Sequence, residues 1–413
     1  MIRQERQFMK KPLEGVTIVE LAQFVAGPAS SKILSDWGAK VIKLESMKGD
    51  HNRVMGLLNH MPIEDEDNPS FDTTAFNKKF VGFNPREPEA MELLYKMLET
   101  ANVFMTNYRN PVLAKMGLTY EILHEKFPHL IFAQVTGYGN EGAEKDEPGY
   151  DTVSFGARGG IIGTMYQKGG EPINIIPAWG DLLTGMVLAG GIAGALVGQQ
   201  LHGQGDKVTV SLYHVGLFGM SWPIMGTEYA TEPTYPKNRR EANTPGINLY
   251  PSADRWMWLS CPDYKDYYDR IMKCIGRDDL VGDERYSDLA VIQKNNRVTE
   301  VIDIISEELK KKPASYWKPI FAAAEVPIEA CCTFEDIVED KQAWDAGFLY
   351  KYTTNSGAEH LMVNSPVQFS SVGLIPDHEP SRRVGYHTRE VLREYGYTEE
   401  QIDHLVEIKA VKD

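Results

Sequence analysis

The sequence predicts an α/β protein, with a large doubly wound parallel domain and a smaller α+β domain. Two observations carry this. Across residues 15–140, short β-branched apolar runs alternate with amphipathic helical stretches, the pattern of a parallel sheet covered by helices on both faces. Beyond residue 250 that alternation stops and helices dominate.

Gly15–Leu21 (GVTIVEL) is apolar and β-branched, hence a strand. AQFVAGP then turns into a helix with Pro28 in its first turn, Ile33, Leu34 and Trp37 on one face, and Gly38 as C-cap. Ala39–Glu45 and Phe80–Asn84 are the next strands. EPEAMELLYKMLETA is helical, with Met91, Leu94, Met97 and Leu98 at core spacing. Asn102–Asn107 and Leu130–Gly139 add strands, and GDKVTVSLYHVGLFGM adds a strand and a helix. Around 225–250, Pro, Asn, Arg and Tyr break the pattern as a linker does. DYKDYYDRIMKCIG and RVTEVIDIISEELKKK are helices of the smaller domain. The tail, HTREVLREYGYTEEQIDHLVEI, holds two short helices, the second opened by Thr398 with Gln401 in capping-box spacing. The predicted boundaries are 12–225 for the Rossmann-like large domain, 226–330 for the small domain with its linkers, and 331–413 for a segment returning to the large domain.

Composition narrows the function. The chain has 413 residues and a net charge of −15, which argues against a nucleic-acid or anionic-membrane partner but leaves room for a small anion held by a local cationic cluster. Cys261, Cys274, Cys331 and Cys332 show no CxxC spacing and read as reduced cytoplasmic thiols, with no metal site expected. The opening MIRQERQFMKKPLEG is charged and unlike a signal peptide. Residues 182–198 are uncharged and at the short edge of a membrane span. We expect instead a buried helix whose Gly190, Gly194 and Gly198 let neighbours approach closely.

Several motifs fall away. GYGNEG (Gly137–Gly142) matches GxGxxG after a strand, but Pro148 and Gly149 interrupt the helix a dinucleotide fingerprint needs. No P-loop and no GxSxG occurs. In HEKFPH, His124 and His129 are five apart around Pro128 and read as surface residues, while His214 reads as a satisfied core histidine. Asp181 remains, before the small-residue helix. It is either the helix N-cap or a functional carboxylate, and both roles are compatible. Lys78, Lys79, Arg86, Asn107, Arg109 and Lys115 lie near strand ends; each is a solvated surface group or part of an anion site.

Taken together, PLEGVTIVELAQFVAGPASSKILSDWGAKVIKLE, NKKFVGFNPR, NVFMTNYRNPVLAKMGLTYE, QVTGYGNEGAEKDEPGYD, GDLLTGMVLAGGIAGAL, GQGDKVTVSLYH, VPIEACCTFEDIVEDKQA and HTREVLREYGYTEEQI resemble class III (CaiB/BaiF-type) CoA-transferases. Within that family the chain is most similar to clostridial 2-hydroxy-acid CoA-transferases of amino-acid fermentation. The resemblance implies that Asp181 is the nucleophile, passing through an aspartyl anhydride and an aspartyl-CoA thioester. It implies acyl-CoA and a small carboxylic acid as substrates, no permanently bound cofactor, a cytoplasmic location and an interlocked homodimer.

It further implies CoA contacts from Val25 and Ala26 in the VAGP turn, from Phe83, Asn84 and Arg86, and from Asn107 and Arg109. Lys115 and Met116 match a basic–Met pair, and Thr136, Gly137, Tyr138 and Gly139 form a loop near the thioester. Tyr138, Tyr150, Phe155 and Trp179 are candidates for the acyl pocket. Two departures stand out. Ser46 replaces an arginine found in some members, and Glu241–Tyr250 replaces the glycine-rich lid of formyl-CoA transferases, which argues against formyl or oxalate substrates. An α-methylacyl-CoA racemase would pair the aspartate with a histidine, where this chain has Gly149-Tyr150-Asp151. A nicotinamide oxidoreductase and a non-catalytic CoA-binding protein are the rivals from other classes.

Overall fold

The computed structural model describes residues 10–413, in two compact units. The larger comprises the described residues up to Ile161 together with Asn174–Ile224 and Lys341–Asp413; the smaller comprises Ile162–Ile173 and Met225–Asp340.

In the larger unit six strands, β1 (Thr17–Leu21), β2 (Lys40–Glu45), β3 (Lys78–Phe83), β4 (Val103–Thr106), β5 (Ile131–Thr136) and β6 (Lys207–Ser211), lie parallel in the order β3-β2-β1-β4-β5-β6. Val411–Lys412 adds a short antiparallel strand beside β3. The expected doubly wound sheet is present. Its winding reverses between β1 and β4, and in such sheets ligands settle outside the carboxyl ends of the strands at that reversal.

Both faces of the sheet are covered, so consecutive residues point into separate cores. Val19, Ile42, Phe104 and Phe132 pack with Leu93, Leu94 and Met97 of the helix Pro88–Leu98 and with Val391, Leu392, Ile402 and Leu405 of the tail. Ile18, Val41, Val103 and Ile131 pack on the other side with Ile33 and Leu34 of the first helix, Ala26–Asp36, and with Leu188 and Ile192 of the long helix, Trp179–His202. Each such side chain contributes about 1.5–3 kcal/mol by leaving water. The Thr398–Gln401 capping box forms as expected.

The smaller unit is α+β. Ile247–Pro251, Trp256–Ser260 and Ile328–Ala330 form an antiparallel sheet. Tyr264, Tyr268, Ile302, Ile305, Trp317 and Phe321 fill its core from the helices.

Three expectations are corrected. The long helix is not enveloped by its own chain: Leu188, Ala189 and Ile192 are buried, but Leu182, Val187, Val197 and Leu201 are exposed. A helix apolar all round reads as buried all round, whereas only one stripe meets the sheet. Among the described residues it is also the one helix long and apolar enough to cross a membrane. Next, Gly190, Gly194 and Gly198 face open space. Close approach is provided by Gly185, where a Cβ would lie 2.7 Å from the Ala26 carbonyl oxygen, and by Gly191, 2.8 Å from Val208. Finally, His214 is exposed in the first turn of Leu212–Gly219, because that helix turns it outward.

Candidate active site

The chain leaves β1 through Gln23 and Phe24 and leaves β4 through Asn107 and Tyr108, and these two exits flank the reversal of the sheet. A cavity of about 380 Å³ lies there. Its wall includes Gln23, Phe24 and Ala26 after β1, Asn107–Asn110 after β4, Thr136 and Gly137 at the end of β5, Tyr150, Asp181 and Leu212.

Phe24 holds a left-handed backbone, φ +61°, unfavourable for an aromatic residue and stable only where neighbours impose it. They do so here. The Gln23 amide donates to Asn107 Oδ1 at 3.0 Å, Asn107 Nδ2 donates to the Gln23 carbonyl at 2.6 Å, and Gln23 Nε2 donates to Tyr108 Oη at 2.9 Å. The Phe24 amide donates to Asp50 Oδ1 at 2.9 Å. Its ring stacks on His51 at 5.4 Å and meets Tyr150 edge-on at 5.9 Å.

Beneath this turn lies a fully buried charge cluster. Lys43 Nζ is 2.7 Å from Glu20, 2.8 Å from Asp50 and 2.9 Å from the Ala22 carbonyl; Lys78 Nζ is 2.7 Å from Glu20 and 2.9 Å from the Pro28 carbonyl. The two ammonium groups thus tie the carbonyls on either side of the turn to the sheet. Burial pushes the Glu20 carboxyl upward, but the two lysines outweigh it and hold the group at about 2. For Lys78 burial wins over the pull of Glu20, and its ammonium falls to about 8. Lys78 is therefore neither a solvated surface charge nor exposed to a ligand, since β3 directs it inward.

Asp181 is the third residue of the long helix, not its N-cap. That position belongs to Ala178, held at φ +66°. The carboxyl facing the helix start is Asp151, 6% exposed, from the short helical segment Asp151–Arg158. Burial pushes its carboxyl above the usual carboxylate range, against the downward pull of the backbone amides of Gly180, Ala178 and Asp181, although neither oxygen closes a hydrogen bond of good geometry. Gly180 is required by this arrangement: a Cβ there would lie 2.2 Å from the Phe155 ring and 2.3 Å from Asp151 Oδ1. Burial, and then the Asp151 charge, raise the Asp181 carboxyl to about 7. A half-buried carboxylate of raised basicity, beside helix-start amides and facing a cavity, can attack an acyl carbon.

Of the residues singled out from sequence, Ala26, Asn107, Arg109, Thr136, Gly137 and Asp181 line the cavity. Val25 is the N-cap of the first helix. The Tyr138 ring lies beneath Arg158, and the Gly139 amide donates to Thr136 Oγ1 at 3.0 Å, turning the loop. Phe83 is buried at the end of β3, Asn84 donates to the Lys409 carbonyl at 3.0 Å, and Arg86 is exposed. Lys115 is exposed and Met116 half-buried on the helix Asn110–Met116. Phe83, Asn84, Arg86, Lys115 and Met116 lie outside the wall of this cavity. Among the aromatic candidates, Tyr150 lines the cavity, whereas Phe155 is buried and meets Trp179 edge-on at 5.5 Å beside Gly180.

Sequence reading passed over Gln23, Phe24, Asn110 and Asp151. The strained turn and the Gln23–Asn107 clamp arise between residues 84 positions apart and leave no local signal. Asp151 had one, an acid in QVTGYGNEGAEKDEPGYD, but its target appears only in three dimensions.

The family model for CoA-transferase family III matches residues 13–388. A cinnamoyl-CoA:phenyllactate CoA-transferase of Clostridium sporogenes is 42% identical over 399 residues, covering 96% of each chain. An (R)-2-hydroxy-4-methylpentanoate CoA-transferase of Clostridioides difficile is 38% identical over 401 residues, covering 97% of this chain and 99% of that one. The crystal structure of a CaiB/BaiF family protein from Brucella suis has a similar fold, with a TM-score of 0.77 and 24% identity, covering 94% of this chain and 100% of that one. With the family match running through both the sheet and the Asp181 helix, the chain belongs to the family III CoA-transferases and is a CoA-transferring enzyme.

Proposed function

We propose that this enzyme moves CoA from a 2-enoyl- or 2-hydroxyacyl-CoA to a 2-hydroxy acid, with Asp181 as the covalent nucleophile. The Asp181 carboxylate attacks the thioester carbonyl; the C–S bond breaks, leaving an aspartyl anhydride and CoA thiolate. The thiolate attacks the aspartyl carbonyl, giving aspartyl-CoA and the released acid. The incoming carboxylate attacks that thioester and forms a new anhydride, and the thiolate captures the new acyl group and frees Asp181. One thioester replaces another, so no outside energy source is needed, and CoA acts as substrate rather than resident cofactor.

The observation that carries this reading is Asp181 itself, on the wall of the cavity at the sheet reversal with its carboxyl raised to about 7. Amides at the helix start favour the oxyanion formed in each attack. Phe24 and Tyr150 offer aromatic surface for a phenyl or branched acyl chain. The named substrates of the two clostridial relatives, a phenyllactate and a 2-hydroxy-4-methylpentanoate system, support a 2-hydroxy acid as the acceptor. The exposed apolar face of the long helix supports action as a homodimer.

The test is Asp181→Ala with cinnamoyl-CoA and phenyllactate. Exchange falls by about a thousandfold or more. Hydroxylamine added to the wild-type enzyme with acyl-CoA marks the peptide containing Asp181 and no other. A folded variant that keeps its rate, or a mark elsewhere, overturns the assignment.

A further inference from the structure

Asp151 takes no part in the chemistry just described, yet the fold places it with care. It is 6% exposed, both its oxygens lack a hydrogen bond of good geometry, and Gly180 lacks the side chain that would evict it. Its position faces the first amides of the helix bearing Asp181. Two carboxyl groups therefore share one helix start, which is costly unless the repulsion between them is used.

We infer that Asp151 is a positioning residue for Asp181: its carboxylate lies against the start of the long helix and keeps a negative charge behind the nucleophile. The inference rests on Asp181 being the nucleophile. Acylation supplies the use. When Asp181 attacks the thioester, its charge leaves with the CoA thiolate and the aspartyl carbon becomes part of a neutral anhydride. Repulsion from Asp151 acts on the free carboxylate and not on the anhydride, so it drives the covalent step forward and makes the carboxylate a stronger nucleophile.

Few other charges compete. Arg109, Lys145 and Glu147 stand around the cavity, and Arg158, on the same segment as Asp151, pairs with Glu144 at 2.5 Å. Tyr213 and His214 belong to the helix Leu212–Gly219, which packs against that segment. On the first helix, packed against the long one, Lys32 and Asp36 pair with each other at 2.7 Å. Among the described residues, Asp151 is the charged group that raises the Asp181 carboxyl, second to burial itself.

The test is the pH dependence of kcat/KM for Asp151→Asn, which keeps the shape and an acceptor oxygen but removes the charge. In the wild type, activity rises with pH as Asp181 ionises near 7. In the variant this acid limb moves down by about one pH unit, the plateau falls severalfold, the folded state is no less resistant to heat, and CoA affinity stays as in the wild type. The ratio of the rate at low pH to the plateau then rises about fivefold when read one unit below the wild-type midpoint. An unmoved acid limb in the folded variant overturns the inference. Should Asp151→Asn fail to fold, Asp151→Ser, smaller and neutral, makes the same comparison. Failure of the parent reading looks different, since Asp181→Ala would then retain exchange whatever Asp151 does.

Discussion

At the scale of single residues, the site depends on groups that fit because something is missing or already occupied. Gly180 is the clearest case. A methyl group there would overlap the Phe155 ring and the Asp151 carboxyl, so Gly180→Ala must displace one of them. The expected result is a loss of 1–3 kcal/mol in thermal or urea unfolding, on the order of an overpacked core, and at least a tenfold fall in kcat. An unchanged kcat in that variant would mean that Asp181 tolerates movement of its helix start. Asn107 illustrates the second kind. It lines the cavity, but both its amide atoms are engaged by the Gln23 backbone. Asn107→Ala therefore frees the strained Phe24 turn, and we expect a rise in KM for acyl-CoA with a smaller change in kcat. A fall in kcat alone would assign Asn107 to the chemistry instead.

At the scale of elements, the β1 turn is held from below by charges that no solvent reaches. Removing one partner of a buried cluster is costly, because the others stay buried without compensation; Glu20→Gln should lower stability by about 3–5 kcal/mol in chemical unfolding. The same cluster sets an acid limit. Glu20 is held at about 2 in the folded chain against 4.5 for the free side chain, so its contribution is complete above 4.5 and is lost as pH falls from there toward 2. Acid titration of the wild type should show this loss, and Glu20→Gln should lack it. Stability with equal acid sensitivity in both proteins would remove Glu20 from the account.

At the scale of the whole molecule, the long helix is the unexplained surface. Leu182, Val187, Val197 and Leu201 are exposed on it, and Phe218 and Trp222 are exposed shortly after it. Apolar surface of this kind on a folded chain is a candidate for burial against a partner. Val187→Asp places a charge at a position 48% exposed, where an isolated chain would barely register it. If two copies cover this face, sedimentation should show the variant shifted from dimer to monomer at equal concentration. A wild type that sediments as a monomer would remove the homodimer from the proposed function.

What was legible in the chain follows from range. Periodicity and turn residues act within a few positions, so the β–α alternation, the tail's capping box, the helix after Asp181 and the failure of GYGNEG as a dinucleotide loop could all be read from letters. The match of motifs also identified the family. The order of strands brings residues far apart in sequence to one reversal, and there Gln23 meets Asn107, Lys78 turns inward to Glu20, and the acid set against the start of the long helix is Asp151. Those outcomes depend on which faces the sheet buries and which Cβ atoms are absent. Such distances exist only once the chain has closed on itself, which is why the residues were readable and their partners were not.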